Sequence, residues 1–429
     1  MFATAIILLL LVCIFAGMPI AFALALCGSI GIGATIGFDG MVSKLSTTAY
    51  RSVADSTLAS IPLFILMAEL MNKGGMARDV FGAANRIVGF LPGGVAMASV
   101  LASAGFAAVS GSSTAASGTL AAISLPEFRK LGYSLPMATG VVAVAGTLAV
   151  MIPPSIAMII YGIMTQTSIG KLLIAGVVPG VMTAAIYIVA IYAYAKLRPA
   201  LLPRGEATTW REKAAALKEV RGFLVIVGAV FFTLYAGVAT TTETAAVAAG
   251  ITWLYLVLSR RLTKASTMSA LVNTLRISSM MLTIVFGALV FGYFLTINRV
   301  APELVEAMRD AQLSRWTVMA LVIVVYLILG MLMDQVAILL ITLPVTFPLV
   351  TSLGFDPIWF GVIVVKLVEI GLITPPVGMN VFVVSGATGV PVGTVFRGTA
   401  YLLAWEFITL ALLLAFPLIS TWLPSYMVR

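Results

Sequence analysis

The sequence predicts an all-α polytopic membrane protein built from two copies of one unit. Three observations carry this. Of the 429 residues, 61% are hydrophobic and only 10% charged, whereas a soluble globular chain carries about 25% charged residues. Apolar runs recur along the whole chain, many close to the roughly 20 residues that a helix needs to cross the hydrocarbon core. Two stretches also match at a fixed offset of 222 residues. The first reads Pro126-Glu-Phe-Arg-Lys-Leu-Gly-Tyr133 and then Met151-Ile-Pro-Pro154; the second reads Pro348-Leu-Val-Thr-Ser-Leu-Gly-Phe355 and then Ile373-Thr-Pro-Pro376. Gly176 and Gly398 fall in line as well. The runs are too long for the roughly ten-residue alternating strands of an outer-membrane barrel, so the spans are helices.

The runs fall at 2–17, 19–38, 54–71, 93–125, 136–165, 171–196, 222–237, 243–259, 276–297, 315–350, 357–386 and 398–424. This predicts about 10–12 transmembrane helices. The start, from Met1, lacks a basic leader region and is expected to be a retained first span. Runs 93–125 and 315–350 exceed a single crossing, and each is interrupted near its middle: Ser110-Gly-Ser-Ser-Thr114 in one, Met333-Asp-Gln335 in the other. Each reads as a re-entrant helical hairpin, because irregular backbone at membrane depth is tolerated only beside protein or a water-filled cavity. The resulting plan assigns N-terminal scaffold spans to 1–92, then the first hairpin and broken helix to 93–165. A span and a basic loop follow at 166–221, and further scaffold spans with an outer connector at 222–314. The second hairpin and broken helix occupy 315–386, and a connector with the last span 387–429.

Orientation follows the positive-inside rule. The loop 196–221 carries seven Lys or Arg, and Arg260, Arg261 and Lys264 cluster after the next pair of spans; both segments are expected in the cytoplasm. A surface helix is expected within 203–219. The first hairpin then enters from inside, near Lys73, Arg78 and Arg86, and the second enters from outside. The copies therefore have opposite topology, with both termini expected outside. An inverted repeat with a break in each copy points to a secondary transporter whose sites lie between the halves.

Proline has no backbone N–H and clashes with the carbonyl four residues back. Pro153 and Pro154 are expected to release the carbonyls of Ala149 and Val150, and Pro375 and Pro376 those of Gly371 and Leu372. A bare carbonyl in hydrocarbon costs several kcal/mol, and a hard cation such as Na⁺ satisfies it with oxygen ligands. The expected cation ligands are Ser110, Gly111, Ser112, Ser113, Gly146 and Ala149 in the first half, and Gly330, Asp334, Gly371, Thr374 and Val377 in the second. At least two Na⁺ sites are expected. A Pro-Pro kink satisfied by neighbouring hydroxyls is the plainer reading of either break alone.

Other features carry less. Lys366 and Glu369, spaced i,i+3 at membrane depth, are functional candidates, with a neutralising structural pair as the plainer reading. Thr241 or Thr242 is expected to cap a helix with Glu243 in its first turn. Arg51 and Arg299, expected outside, read first as solvated loop charges, with contact to an anion or an acidic partner as the alternative. Cys13 and Cys27 read as packing residues. The chain has no His, which removes imidazole metal ligands and proton relays. The net charge of +9 reads as loop charge, with no nucleic-acid motif. No nucleotide-binding or hydrolase signature is present, so no enzymatic activity is expected.

Several segments resemble the large membrane subunit of the tripartite ATP-independent periplasmic (TRAP) transporters. They are Ile61-Pro-Leu-Phe64, Leu131-Gly-Tyr133, Ile152-Pro-Pro-Ser155, Thr242-Glu-Thr-Ala-Ala-Val-Ala-Ala249 and, most specific, Ile370-Gly-Leu-Ile-Thr-Pro-Pro-Val-Gly378. Lys366 departs from the neutral polar residue expected there. The resemblance covers nearly the whole chain and implies Na⁺-driven symport by an elevator motion in a bacterial inner membrane. It further implies a small four-helix membrane subunit and a periplasmic substrate-binding protein as partners, besides membrane lipid. The cargo it implies is a carboxylate: a C4-dicarboxylate, sialic acid or a similar organic anion. Ser112, Thr114, Ser155 and Asn380 are the candidate substrate contacts. Two alternatives are a standalone Na⁺/dicarboxylate symporter and a passive channel or structural subunit.

Overall fold

The computed structural model describes residues 2–427, and every regular element among them is a helix. The N-terminal part comprises α1 (Phe2–Phe15), α2 (Ile20–Ala54), α3 (Ser60–Lys73) and α4 (Met76–Val88). Inside α2 the chain bends at Gly37, whose φ of 83° is open to glycine and strained for other residues. The first expected hairpin is present as α5 (Gly94–Ser110) and α6 (Ser113–Lys130). The broken helix follows as α7 (Leu135–Ala145), one turn α8 (Leu148–Met151) and α9 (Ile156–Thr165). Then come α10 (Ile169–Ala175), α11 (Val177–Leu197) and the expected surface helix α12 (Trp210–Glu219).

The second copy runs through α13 (Arg221–Tyr235), α14 (Thr241–Leu258), α15 (Lys264–Ile297) and α16 (Val300–Asp310). Its hairpin is α17 (Arg315–Leu332) and α18 (Gln335–Ser352). Its broken helix is α19 (Pro357–Gly371) and α20 (Met379–Thr388), followed by α21 (Val392–Ala415) and α22 (Leu418–Ser425). Both Pro-Pro bonds are cis.

The 222-residue offset extends well beyond the motifs. It carries α6 onto α18 end for end, and the end of α4 at Val88 onto the end of α16 at Asp310. It places α14 over the first part of α2, and α15 over the remainder of α2 plus α3. Among the described residues eight helices are long and apolar enough to span a membrane, and four shorter apolar ones accompany them. Two of the eight are the arms of the second hairpin. The two hairpin tips and the two Pro-Pro breaks divide the longest apolar runs into shorter helices.

The segments expected in the cytoplasm gather at one end of the molecule. Arg86 pairs with Glu219 at 2.8 Å, and Arg261 pairs with Asp79. That partner raises the affinity of the Arg261 guanidinium for its proton. Gly205 donates its N–H to the Gly89 carbonyl and the Tyr133 hydroxyl donates to that of Pro203, so the 198–209 loop straps α4 to the base of the first hairpin. Thr209 and Glu212 cap α12 reciprocally. The resulting hydrogen bonds from Thr209 hold the exposed Glu212 carboxyl below its ordinary pKa. At the far end, Thr242 donates to the Ser56 carbonyl, and a cavity of about 380 Å³ is lined by Asp55, Gln166, Thr240 and Met427.

The two copies interlock. In each, the second hairpin arm packs on the far half of the other copy's broken helix: α6 on α20, and α18 on α9. Both breaks and both tips are thereby drawn into one central region.

Candidate functional site between two hairpin tips

Each hairpin turns where the sequence supplies a helix N-cap. Ser112 sits in extended backbone and its hydroxyl accepts from Ala115 N–H to start α6. Ser110 Oγ donates to the Ser112 carbonyl at 3.2 Å, and Ser112 and Thr114 share a hydrogen bond of the same length. Asp334 does the equivalent work for α18, its Oδ1 accepting from Val336 and Ala337 N–H at 2.7 and 3.1 Å. Two helix N-termini, with their partial positive charge, therefore start at the tips.

Each tip rests on the break of its own copy. Gly111 lies flush with the first: Ile156 N–H donates to its carbonyl at 3.4 Å, and a Cβ at Gly111 would stand 2.8 Å from the Pro154 oxygen. At the second, Val377 N–H donates to the Met331 carbonyl at 3.2 Å. Gly330 and Gly371 meet backbone to backbone; a Cβ on Gly371 would fall 2.4 Å from the Gly330 Cα. Gly146 makes a comparable approach to Ser117 on α6.

The carbonyls expected to be bare are mostly occupied. The Ser155 hydroxyl donates to the Val150 carbonyl and also caps α9 by accepting from Met158 N–H. Thr374 N–H reaches the Gly371 carbonyl and Asn380 N–H the Leu372 carbonyl, each at 3.0 Å. Of the four oxygens, the Ala149 carbonyl alone accepts no hydrogen bond among the described residues. The expectation of empty carbonyls is corrected here for Val150, Gly371 and Leu372. The reason is the cost that motivated the expectation: an orphan carbonyl at depth recruits whatever local donor can reach it. A carbonyl oxygen has two lone pairs, so one partner leaves room for a cation.

Asn380 ties the halves together. Its amide nitrogen donates to Ser113 Oγ at 2.6 Å and to the Ala143 carbonyl at 3.1 Å, while its oxygen is fully buried without a partner. Thr374 Oγ1 is committed to the Ile370 carbonyl at 2.5 Å.

A cavity of about 500 Å³ opens between the tips, lined by Ser112 and Thr114 from the first, Asp334 and Gln335 from the second, and Leu372 and Met379 beside the second break. Its opposite wall is α15, through Ile277, Met280, Met281 and Ile284. Of the four expected substrate contacts, Ser112 and Thr114 line this cavity. Ser155 is fully buried and spent on holding the break, and Asn380 is buried behind Ser113.

Some site residues escaped the sequence reading. Gln335 lines the cavity with its buried amide oxygen unpartnered. Its signal was its place directly after Asp334. Glu406 is the larger omission. Lys366 Nζ lies 2.9 Å from Glu369 Oε2, contacts Glu406 Oε2, and reaches Thr183 Oγ1 at 3.4 Å. All three charged side chains are fully buried. The expected neutralising pair is thus a triad of one base and two acids, with one oxygen of each carboxyl unpartnered. An acid inside the apolar run 398–424 was the available signal for Glu406.

This architecture is that of a secondary transporter with inverted repeats: half-helices meeting around a cavity, irregular backbone confined to the interior, and helix N-termini aimed at a site. The chain matches the family described as "Tripartite ATP-independent periplasmic transporter, DctM component" over residues 7–419, and it belongs to that family. It is 38% identical over 387 residues to the C4-dicarboxylate TRAP transporter large permease protein DctM of Pseudomonas aeruginosa, covering 90% of this chain and 88% of that one. It is 30% identical over 417 residues to the sialic acid TRAP transporter large permease protein SiaM of Vibrio cholerae, covering 96% of each. The fold is similar to that of the Alcanivorax borkumensis YdaH transporter, with a TM-score of 0.63 at 13% identity over 88% of this chain and 89% of that one. The chain is thus a transporter and not an enzyme, a multi-pass protein of the bacterial inner membrane.

Proposed function

We propose that this permease imports an organic acid anion in symport with Na⁺, taking it from a soluble periplasmic binding protein and working beside a small four-helix membrane subunit. C4-dicarboxylates and sialic acid, named for its relatives, are the cargo classes we assign. One observation carries the reading: two oxygen-rich tips, each seated on a proline break, share one cavity. Na⁺ would be held in the first half by oxygens of Ser110, Gly111, Ser112, Ser113, Gly146 and Ala149. In the second it would be held by those of Gly330, Asp334, Gly371, Thr374 and Val377.

Coupling follows from charge. The N-termini of α6 and α18 favour a carboxylate between the tips, but Asp334 lines the same cavity and repels it. A cation bound beside Asp334 removes that repulsion, so cargo binds well only after Na⁺. Movement is of the elevator type: hairpins and broken helices carry the site past the wall formed by α15.

The test is uptake into liposomes by the chain with its two partners. An inward Na⁺ gradient should drive accumulation of the carboxylate, and uptake indifferent to Na⁺ would refute the coupling. Uptake by this chain without a binding protein would favour a standalone symporter. Thr374→Ala should raise the Na⁺ concentration for half-maximal uptake several-fold; an unchanged value removes Thr374 from the ligand set.

A further inference from the structure

The seam that holds the hairpin-tip cavity continues along α15 and α18. About eight residues beyond the tip on α18, roughly 12 Å at 1.5 Å per residue, it opens into a second cavity of about 390 Å³. One wall is the outer part of α15 with Tyr293 and Thr296, another is α18 with Phe347. The third is the part of α2 after the Gly37 bend, through Lys44, Thr48 and Arg51. Those three are spaced i, i+4 and i+7 and so share one helix face. Lys44 Nζ stands 3.8 Å from the centre of the Tyr293 ring, a contact that positions the ammonium and leaves donors for a further partner. No acidic side chain lines the cavity among the described residues.

This cavity lies toward the end of α15 remote from Lys264, hence on the outer side by the loop charges. Two cationic side chains, the hydroxyls of Thr48, Tyr293 and Thr296, and an apolar floor match a small carboxylate with a carbon skeleton. The packed contact of α15 with α18 joins this cavity to the tips.

We propose that Lys44 and Arg51 form an entry subsite for the carboxylate cargo, holding it at the outer mouth of the seam before it reaches the hairpin tips. The proposal rests on the reading of the cargo as an organic acid anion. An anionic lipid headgroup would use the same chemistry, and the test separates the two.

The experiment uses the complete complex in liposomes, with succinate and sialic acid as probes. Lys44→Gln combined with Arg51→Gln should raise the concentration of loaded binding protein at half-maximal uptake about 5- to 10-fold. The Na⁺ concentration at half-maximal uptake should stay at the wild-type value. The charge-preserving pair Lys44→Arg with Arg51→Lys should behave as wild type, and gel filtration should report a folded complex for both. Unchanged uptake in the neutralised variant overturns the proposal, as does a charge-preserving pair that is folded but equally impaired. Two other results overturn it. One is weakened attachment of unloaded binding protein to the complex, which would make the basic face a protein contact. The other is a wild-type requirement for phosphatidylglycerol that the neutralised variant loses, which would make it a lipid site. If the wild-type complex takes up neither probe, the cargo reading itself fails, a result separate from all of these.

Discussion

The two copies share a backbone plan and differ in their chemistry. At the tips, Ser112 and Asp334 occupy equivalent positions and cap equivalent helices, one neutral and one anionic. At the breaks, the Val150 carbonyl is held by a side chain, Ser155, whereas its counterpart Leu372 is held by a backbone N–H, that of Asn380. Behind the breaks, Lys366, Glu369 and Glu406 stand where the first copy has Val144, Thr147 and Ala184. Duplication preserved the elements that make a break tolerable in a membrane and left the ionised groups free to diverge. The cation sites we propose should accordingly be unequal: the first built from carbonyls and hydroxyls, the second with a carboxylate.

The largest effect should come from the triad, because removing one partner of a buried ion pair leaves a charge uncompensated. Lys366→Met should destabilise the protein by about 3–5 kcal/mol, read as a lowered midpoint of thermal unfolding in detergent. Converting the whole triad to its first-copy counterparts, Lys366→Val with Glu369→Thr and Glu406→Ala, should restore most of that loss. If the triple change is no more stable than Lys366→Met, the charges are not what the first copy does without.

Next is the contact of Gly371 with Gly330. The equivalent of Gly371 is Ala149, so one copy accepts a Cβ there and the other has no space for it. Gly371→Ala should cost about 1–3 kcal/mol through overpacking and cut uptake more than tenfold by separating tip from break. Ala149→Gly should change uptake by less than about twofold, within the usual range of a tolerated glycine exchange. Comparable uptake in both variants would show that the tip contact is not specific to the second copy.

The sequence made the twin breaks legible because proline and glycine act through the backbone of their own segment, wherever that segment packs. The hairpins were legible for the same reason: Ser112 and Asp334 interrupt runs too long for one crossing. What stayed hidden depends on partners distant in the chain. Glu406 joins Lys366 across two helices, Asn380 reaches Ser113 and Ala143 in the other copy, and α15 supplies the far wall of the cavity with ordinary apolar side chains. Carbonyl occupancy was hidden too, since it turns on whether the Ser155 hydroxyl and Asn380 N–H point back at the break. The reach of the duplication was missed in the N-terminal quarter, where the bend at Gly37 and the gap before Ser60 disguise the counterpart of the unbroken α15.

The smallest effects separate the two ways of holding a break. Ser155→Ala removes the hydroxyl from the Val150 carbonyl and the cap from α9, and should cost about 1 kcal/mol. Its action stays within the first copy, so uptake should fall with little change in the cooperativity of Na⁺ activation. Asn380→Ala leaves the backbone N–H on Leu372 in place, so the second break should persist. What it removes is the bridge to Ser113 and the Ala143 carbonyl, at roughly 1–3 kcal/mol. Since that bridge joins the two copies, under the proposed coupling its loss should lower the Hill coefficient for Na⁺ while leaving the unfolding transition single. An unchanged Hill coefficient in Asn380→Ala, with uptake still Na⁺-driven, would mean that the halves communicate through the packing of α6 on α20 and not through this amide.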